Sequence, residues 1–435
     1  MRVESWALTD VGRVRKHNED GWLIDEQLGL YAVADGMGGH AAGEVASAYG
    51  LRCVQEQLGQ RKELIDEFVR QPTPELAQKI LREIELAVNV ASSAIYGMGQ
   101  REEQRRGMGT TLSVLLVAGR KGFMAHVGDS RIYMVRSGQI HQLSEDHSYL
   151  WEQVKKGLLT KQQAKASRLS NVITRAVGIT ETVQVDTLVF DIVPGDTFLI
   201  CSDGLHGAVG EENELLAHLL DAEPNLIPQR LVDLANARGG KDNITCLVLR
   251  APGDADDPKT QELIEKLDIL KEIPLFRHLN YKELVKVLNL TQPRNYEAGA
   301  VVIEEDSEGD EFFVILSGEV SVNKHGRTLT TLGGRVHFGE MALVDQSPRS
   351  ATVRAERATR TLCLSRPAFF AVVRTEPALG SKLLWSFVQV LSHRLRIAND
   401  VISKEQTDKL AVTPMDDVGM ATPMDELPHP IDSDE

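Results

Sequence analysis

Apolar residues in positions 1–250 fall into short runs typical of β-strands, interrupted by two stretches with helical spacing. The strand-like runs are LYAVA (30–34), TLSVLLVA (111–118), FMAHVG (123–128), IYMVR (132–136), DTFLICS (196–202) and ITCLVLR (244–250). The helical spacing predicts helices over residues 41–59 and 75–97. Because these helices are grouped instead of alternating strictly with strands, the pattern favours an α+β fold over a parallel, doubly wound sheet.

A break in composition follows at residues 251–262, where Asp, Pro and Gly interrupt the periodic pattern and predict a linker. Residues 263–290 then have helical spacing, and short strand-like runs separated by turns come after them. Those runs are AVVIEE (300–305), FFVILSGEVSVN (312–323), TLTTL (328–332), ATVRA (351–355) and TLCLS (361–365). Their spacing predicts a small β-roll or barrel.

A long helix is predicted over residues 377–402. Its apolar stripe consists of Leu383, Leu384, Phe387, Val388, Leu391 and Leu395. Packing on the β-roll and pairing with a second subunit are both compatible with this stripe. Residues 404–435 contain nine acidic residues against two lysines, and Thr-Pro-Met-Asp occurs twice, which predicts a disordered acidic tail.

Composition limits the possible functions. A chain of 435 residues is too long for one ordinary core, so two or three domains are expected. The net charge of −15 argues against a nucleic-acid binder and against a binder of anionic membranes. Four cysteines without a C-x-x-C pair predict buried free thiols in a reducing compartment. No apolar run approaches the ~18 residues of a membrane helix, so a soluble cytoplasmic protein is predicted.

Acidic residues stand in short turns, most of them directly after a predicted strand. They are Glu19 and Asp20 in RKHNED, Asp35 in ADGMGGH, Asp129 in VGDSR, Asp203 in SDGLHG and Asp242 in GGKDN. Each motif alone is compatible with an ordinary surface turn. If the carboxylates converge, they raise one another's pKa unless a cation neutralises them, and hard oxygen ligands suit Mg²⁺ or Mn²⁺.

Such a cluster predicts phosphoryl chemistry, because two ions can polarise a phosphoryl oxygen and activate a bridging water. Asp35 is the predicted shared ligand, and the glycine after it brings a backbone carbonyl within coordinating reach. The remaining assignments are Asp203 and Asp242 for one ion, Glu19 and the Gly36 carbonyl for the other, Asp20 for a metal-bound water, and Arg15 for the substrate phosphate.

Residues 1–250 resemble the bacterial form of the metal-dependent (type 2C, PPM) Ser/Thr protein phosphatases. The resemblance is carried, in family order, by RKHNED, VADGMGGH, GMGTT (107–111), VGDSR, LSEDHS (143–148), NVITRAVG (171–178), CSDGLHG and KDNITCLVL. It implies a four-layer αββα sandwich with a Mn²⁺ or Mg²⁺ pair that acts on phosphoSer or phosphoThr proteins, the substrates of a Ser/Thr kinase. The resemblance agrees with the ligand roles given above. It also implies a third ion bound by Asp129 and Asp203, and a flap over residues 144–178 near the substrate entrance.

Two positions depart from that family pattern. Met37 occupies the place where many eukaryotic relatives have a histidine proposed as general acid. His40 lies nearby, and a metal-bound water is the alternative acid. In the flap, ASRLSN (166–171) replaces a frequent His-Pro, which leaves the flap conformation and the substrate preference open.

A second site is predicted in FGEMALVDQSPRSATV (338–353). The first turn of a helix there would present free N–H groups to a phosphate, with Arg349 supplying charge and Glu340 accepting from a ribose hydroxyl. A structural Arg–Glu pair in a hairpin explains the same residues. The segment resembles the phosphate-binding cassette of cyclic nucleotide-binding domains, and the resemblance extends over residues 268–402. It implies ligand roles for Gly339, Glu340, Met341, Ala342, Arg349, Ser350 and Ala351.

Family glycines are replaced here by Asp306 and Arg335. Asp306 tolerates a left-handed backbone, whereas Arg335 does not, so we expect that turn to be rebuilt on Gly333 or Gly334. Ser350 stands where threonine accompanies cGMP preference, which weakly favours cAMP over cGMP.

The sequence thus predicts a phosphatase domain (1–250), a linker (251–262), a β-roll with flanking helices that binds cyclic nucleotide (263–403) and a tail (404–435). The predicted function is a metal-dependent protein phosphatase regulated by cAMP or cGMP, with a possible dimer through the 377–402 helix. Three alternatives stay open: an inactive nucleotide sensor or scaffold, an active phosphatase whose β-roll is an empty docking domain, and a phosphatase of non-protein phosphoesters.

Overall fold

The computed structural model describes residues 2–38, 42–160, 162–163, 167, 172–221, 223–253 and 257–411, without the side chains of 398 and 401–411. Of the predicted tail (404–435), residues 404–411 are helical and continue the final helix, so the expectation of disorder was wrong for them, and residues 412–435 lie outside the described residues. Elements are numbered below in chain order within the described part.

Two antiparallel sheets form the centre of the N-terminal region. The first contains, in spatial order, β1 (Glu4–Asp10), β11 (Ile244–Arg250), β10 (Thr197–Cys201), β7 (Arg131–Arg136) and β8 (Gln139–Gln142). The second contains β2 (Asp20–Asp25), β3 (Leu30–Met37), β5 (Leu112–Ala118), β6 (Lys121–Val127) and β9 (Asp186–Asp191), with the short β4 (Gly109–Thr110) paired to β3. The first sheet is packed against the second, so their inner faces form a common core.

Helices cover the outer face of each sheet. They are α1 (Ala42–Gly59), α2 (Lys62–Arg70) and α3 (Pro74–Arg101) on the second sheet; α5 (Asp203–His206), α6 (Glu212–Leu219) and α7 (Ile227–Ala237) on the first; and α4 (Tyr149–Lys155) after β8. The order of layers is therefore helix, sheet, sheet, helix, as the resemblance implied. Every residue of β5 is buried, because apolar layers lie on both of its faces.

The C-terminal region begins with helices and continues as a β-roll of two four-stranded antiparallel sheets. The helices are α8 (Pro258–Glu272), α9 (Tyr281–Leu290), α10 (Met341–Val344), α11 (Arg366–Thr375) and α12 (Pro377–Ala411). One sheet has the order β12 (Gln292–Tyr296), β19 (Thr359–Ser365), β14 (Glu311–Ser317), β17 (His337–Phe338), and the other β13 (Val301–Ile303), β18 (Thr352–Ala355), β15 (Glu319–Lys324), β16 (Arg327–Gly333). The predicted β-roll is thus present.

Of three details in the C-terminal region, two differ from the sequence expectations and one agrees with them. Helix α8 begins at Pro258, so the last residues of the predicted linker are helical, with proline in the first turn where its missing N–H does no harm. Arg335 itself takes the left-handed conformation, with a φ of 66°, so the expectation of a turn rebuilt on glycine was wrong. Asp306 is left-handed, with a φ of 61°, as predicted.

The apolar stripe of α12 is divided. Leu383 and Phe387 are buried against the rest of the region, whereas Val388 and Leu395 are exposed, at 58% and 63%. The four cysteines are free and buried, as predicted. Among the described helices, none combines the length and the apolarity that crossing a membrane requires.

Candidate active site and nucleotide site

Strand pairing brings the first two acidic residues together. Asp20 opens β2 and lies opposite Asp35 of β3 in the antiparallel register. The glycine after Asp35 is needed sterically, because a Cβ on Gly36 would lie 2.1 Å from the carbonyl oxygen of Gly43 and 2.6 Å from that of Glu19. This close approach of strand and helix α1 holds Glu19 beside the end of β3.

Asp35 is fixed through its backbone. Its N–H donates to Thr111 Oγ1 (2.9 Å), and its carbonyl oxygen accepts from the N–H of Thr111 (2.8 Å) and from Thr110 Oγ1 (3.0 Å). These contacts leave the carboxylate of Asp35 free to face the other acids. The GMGTT motif therefore has a supporting role that its sequence did not reveal.

The loop before β2 is tied to the last acidic motif by Asn243, a residue to which the sequence assigned no role. Asn243 Oδ1 accepts from the N–H of Glu19 (2.9 Å), and its Nδ2 donates to the carbonyl oxygens of Val11 (3.0 Å) and His17 (2.9 Å). Asp242, the residue before it, is consequently placed beside Asp20 and Asp35.

Ser202 joins Asp20 to the turn that carries Asp203. Its Oγ donates to Asp20 Oδ2 (2.7 Å) and accepts from the N–H of Thr245 (3.0 Å), and Ser202 is fully buried. The other carboxylate oxygen of Asp20, Oδ1, is buried and has no hydrogen-bond partner among the described residues. Asp203 begins helix α5, and its carboxyl group lies against that of Asp35.

Asp129 lies in the turn between β6 and β7 and is 8% exposed. The glycine before it is left-handed, with a φ of 113°, which lets the chain reverse there. Gly128 is also fastened to His147, whose Nδ1 accepts from the N–H of Gly128 (3.1 Å). The field of Asp129 contributes to raising the pKa of Asp35, so the VGDSR motif belongs to the same cluster.

Arg15 contacts the cluster from the solvent side. Its Nη2 lies 2.7 Å from Asp242 Oδ2, and its side chain is 50% exposed. The guanidinium predicted to meet a substrate phosphate is therefore at the mouth of the acidic cluster, where it is paired with a carboxylate in this structure.

The carboxyl groups perturb one another strongly. Burial, followed by the neighbouring charges, raises the pKa of Asp20 and Asp129 to about 7 and that of Asp203 to about 6. The pKa of Asp35 is raised well above its usual range, first by burial and then by the charge of Asp20. Burial also raises the pKa of Glu19.

These donors fit a divalent cation. A buried carboxylate oxygen without a partner, set among acids that destabilise one another's charge, is satisfied by a hard cation. Within the described ranges, no three Asp, Glu, His or Cys side chains already stand in metal-coordinating geometry. Asp242 is paired with Arg15 in this structure, and the carboxyl group of Asp35 lies against that of Asp203.

The flap is described only in part. Ser148 caps helix α4 by accepting from the N–H of Trp151, and Val177 pairs with Thr110. Met37 ends β3 close to the acids. His40, and all of the ASRLSN segment except residue 167, lie outside the described residues.

In the β-roll, the cassette residues Gly339 and Arg349 converge. Arg349 is 8% exposed, and its Nη1 and Nη2 donate to the carbonyl oxygens of Gly339 (3.4 Å) and Glu311 (2.9 Å). A Cβ on Gly309 would lie 2.6 Å from Arg349 Nε, so the guanidinium has a close-fitting place.

Glu340 follows Gly339 and precedes helix α10. Its side chain is 4% exposed and forms an ion pair with Arg394 of the final helix, a partner that the sequence did not indicate. Ala342 is buried and Met341 is 49% exposed. Ser350 and Ala351 lead from Arg349 into β18, so all seven predicted residues lie along one segment.

Comparisons with known proteins agree with the assignment of both domains. Residues 13–234 match the family model described as Protein phosphatase 2C, and residues 293–376 match that of the Cyclic nucleotide-binding domain. The serine/threonine phosphatase stp of Listeria monocytogenes serotype 4b is 34% identical over 246 residues, which are 55% of this chain and 93% of that protein. The serine/threonine protein phosphatase PstP of Mycobacterium tuberculosis is 35% identical over 258 residues, which are 59% of this chain and 46% of that protein.

Solved structures give the same assignment for the fold. The crystal structure of the Mycobacterium tuberculosis serine/threonine phosphatase PstP/Ppp has a TM-score of 0.51 and 32% identity, and the match covers 58% of this chain and 99% of that one. The catalytic domain of PstP in complex with two manganese ions matches with a TM-score of 0.50 and 32% identity over the same shares. The chain therefore belongs to the protein phosphatase 2C family of serine/threonine phosphatases, and it carries a cyclic nucleotide-binding domain after the phosphatase domain.

Proposed function

We propose that the acidic cluster binds two Mn²⁺ or Mg²⁺ ions, with a third possible at Asp129, and uses them to hydrolyse phosphoserine and phosphothreonine in proteins. We further propose that cAMP or cGMP binds the β-roll and regulates this activity. The observation that supports the enzymatic part most directly is the convergence of carboxylates from distant motifs at one end of the sandwich. The two manganese ions in the PstP structure support the choice of metal.

Each side chain has a place in this proposal. Asp35 would be shared by the ions, Asp203 and Asp242 would complete one shell, and Glu19 with the Gly36 carbonyl would complete the other. The ions would supply a water that is acidic enough to become a nucleophile near neutral pH. Asp20 Oδ1, buried and unpartnered, would accept a hydrogen bond from water and so orient it.

Arg15 would bind the substrate. Half exposed at the mouth of the cluster, it can exchange the Asp242 carboxylate for a phosphate group, which guanidinium binds with two parallel hydrogen bonds. Ser202 and Thr111 would keep Asp20 and Asp35 in position. Met37 ends β3 directly after Gly36, so the side chain at this position has no proton to give to the leaving group.

The decisive experiment is phosphate release from a phosphothreonine peptide and from a small aryl phosphate, with Mn²⁺ and with a chelator. Asp35→Asn should abolish metal-dependent turnover of both substrates. Asp25→Asn is the matched control, since Asp25 lies at the other end of the same hairpin and pairs with Leu30. Equal rates for wild type and Asp35→Asn would favour the alternative of an inactive scaffold, and turnover of the aryl phosphate alone would favour non-protein phosphoesters.

Nucleotide binding is proposed because two buried side chains, those of Arg349 and Glu340, lie beside the turn at Gly339. Arg349 would bind the phosphate and Glu340 a ribose hydroxyl. Calorimetry with cAMP and cGMP tests this, and Arg349→Ala should remove binding. If neither nucleotide binds the wild type, the β-roll is an empty docking domain.

Regulation would involve the final helix. Arg394 of α12 forms an ion pair with Glu340, and the carboxylate of Glu340 is the group proposed to accept the hydrogen bond of a ribose hydroxyl. A nucleotide shifts activity only if it binds one arrangement of the chain better than another. Phosphatase rates that are identical with and without saturating nucleotide would refute the regulatory part and leave catalysis intact.

We propose the domain limits 1–250 and 263–403, with a linker over 251–262 whose last residues begin helix α8, a tail over 404–435 whose first residues extend helix α12, and a dimer through the 377–402 helix. Trp385, Val388 and Leu395 are 58%, 58% and 63% exposed, and their spacing is that of a coiled-coil seam, which suits a second copy of this helix. Sedimentation of wild type beside Val388→Glu tests the dimer; a wild-type monomer at micromolar concentration contradicts it.

A further inference from the structure

Helix α9 of the C-terminal region lies directly against the phosphatase domain. The ring of Tyr281 stacks on His141 with centroids 4.0 Å apart, and its hydroxyl accepts from Arg136 Nη1 (2.6 Å). At the other end of the helix, Asn289 Nδ2 donates to the carbonyl oxygen of Val189 (2.8 Å). The helix is therefore anchored by polar contacts at both ends to β7, β8 and β9.

Between these anchors, α9 places a buried positive charge in the phosphatase domain. Lys282 is only 4% exposed, and its Nζ lies 3.7 Å from Asp186 Oδ2. Glu145, in the LSEDHS motif, adds a second negative charge close to it. Since lysine is almost never fully buried unless it is paired, this contact is a specific one.

Asp186 transmits the contact toward the acidic cluster. Its Oδ1 lies 3.4 Å from His147 Nε2 and 3.1 Å from Arg175 Nη1. A histidine whose Nε2 faces a carboxylate presents Nδ1 as an acceptor on its other side. That Nδ1 accepts from the N–H of Gly128, and the N–H of His147 donates to the carbonyl oxygen of Gly128 (2.7 Å).

The same histidine is connected to the flap. Its carbonyl oxygen accepts from the N–H of Thr174 (2.7 Å), and the next residue, Ser148, pairs with Ile173 and caps α4. The side chain of His147 is thus held from one side by Asp186, while its backbone joins the turn of Asp129 to both described ends of the flap.

We infer that Lys282 is a positioning residue of the phosphatase site: supplied by the C-terminal region, it orients Asp186 and through it His147, and so sets the Gly128–Asp129 turn and the base of the flap. This rests on the proposed role of the acidic cluster in catalysis. If Lys282 has this role, the contact of α9 with the phosphatase domain couples the conformation of the β-roll to the geometry of the active site.

The test compares Lys282→Met with Lys286→Met in the full chain. Lys286 lies one turn further along α9 and pairs with Glu376 of its own region, so its loss leaves the phosphatase domain untouched. We expect Lys282→Met to lower kcat by about three- to thirty-fold, the range found for side chains that couple two sites, with KM for an aryl phosphate little changed. Lys286→Met should behave as wild type.

Hydrogen–deuterium exchange without metal or substrate provides an independent readout. Peptides over 123–134 and 143–155 should exchange faster in Lys282→Met and not in Lys286→Met. Asp186→Asn should reproduce the change, and adding Lys282→Met to it should have little further effect. Equal exchange of these peptides in Lys282→Met and wild type would overturn the inference.

The exchange result also separates this inference from the proposed function. If the wild type has no metal-dependent phosphatase activity, the proposed function fails, while the exchange of 123–134 still reports on the contact. If Lys282→Met unfolds at assay temperature, Lys282→Gln, which retains a polar end, takes its place with the same expected pattern.

Discussion

Two arginine–carboxylate pairs of similar geometry but different burial allow the energetics of this fold to be tested. In the first, Arg136 Nε and Nη2 donate to the two oxygens of Asp196 at 2.8 and 2.5 Å, with side chains 5% and 1% exposed. In the second, Arg238 donates to the two oxygens of Glu214 at 2.9 and 2.6 Å, with side chains 39% and 33% exposed. If hydrogen-bond geometry alone mattered, both pairs would contribute equally to the free energy of unfolding.

The two pairs differ in burial, and burial determines how much each contributes to the free energy of unfolding. Asp196→Ala leaves the Arg136 guanidinium buried without its counter-charge and removes an acceptor from the N–H of Val193 (2.8 Å), so we expect a loss of about 3–5 kcal/mol in the free energy of unfolding. Glu214→Ala removes a solvent-screened pair, so about 0–1 kcal/mol is expected. Asp196→Ala should also loosen α9, because Arg136 donates to Tyr281 as well.

Urea unfolding followed by tryptophan fluorescence measures the two losses side by side. The midpoint should fall by about 1 M or more for Asp196→Ala and by much less for Glu214→Ala. A loss below about 1 kcal/mol for Asp196→Ala, or equal losses for the two variants, would refute the argument that burial decides the contribution of these pairs.

Two further predictions follow from single contacts. Arg394→Gln frees the Glu340 carboxylate for a ribose, so nucleotide affinity measured by calorimetry should rise by about tenfold; unchanged or weaker binding would contradict the competition. The ring of His126 is fully buried, and its burial lowers its pKa to about 3, below the unfolded value of about 6.5. Since the unfolded chain then takes up the proton first, stability should fall as the pH drops from about 6.5 toward 3, by up to about 1.4 kcal/mol per pH unit. His126→Gln should remove that part of the dependence in urea unfolding at pH 7, 6 and 5, and an identical slope in both proteins would contradict it.

In the N-terminal region, the strands that the sequence predicted are those whose neighbours bury both faces. β5 and β11 read as continuous apolar runs because helices and the opposite sheet cover them. β1, β2 and β9 were missed, since they are only partly buried, begin or end in acidic residues, and lack a continuous apolar run. Helix α2 was missed as well, because its nine residues give too short a window for the helical period to stand out.

For the active site, the sequence supplied the acids and their motifs, but not what holds them. Asn243 and Ser202 reach partners more than a hundred residues away, and nothing in the local pattern marks such contacts. In the β-roll, the pairing of Arg394 with Glu340 was equally unpredictable, because it depends on how the final helix crosses the cassette.

By itself, the sequence determined which chemical groups are present, the order of the motifs and the two-part organisation, because turn chemistry and apolar periodicity are local properties. Only the tertiary structure decided which carboxylate faces which, how far their pKa values are raised, and that Lys282 of one region lies buried in the other. These outcomes depend on distances and burial between residues far apart in the chain, and electrostatic energies in a protein follow those quantities more than residue type.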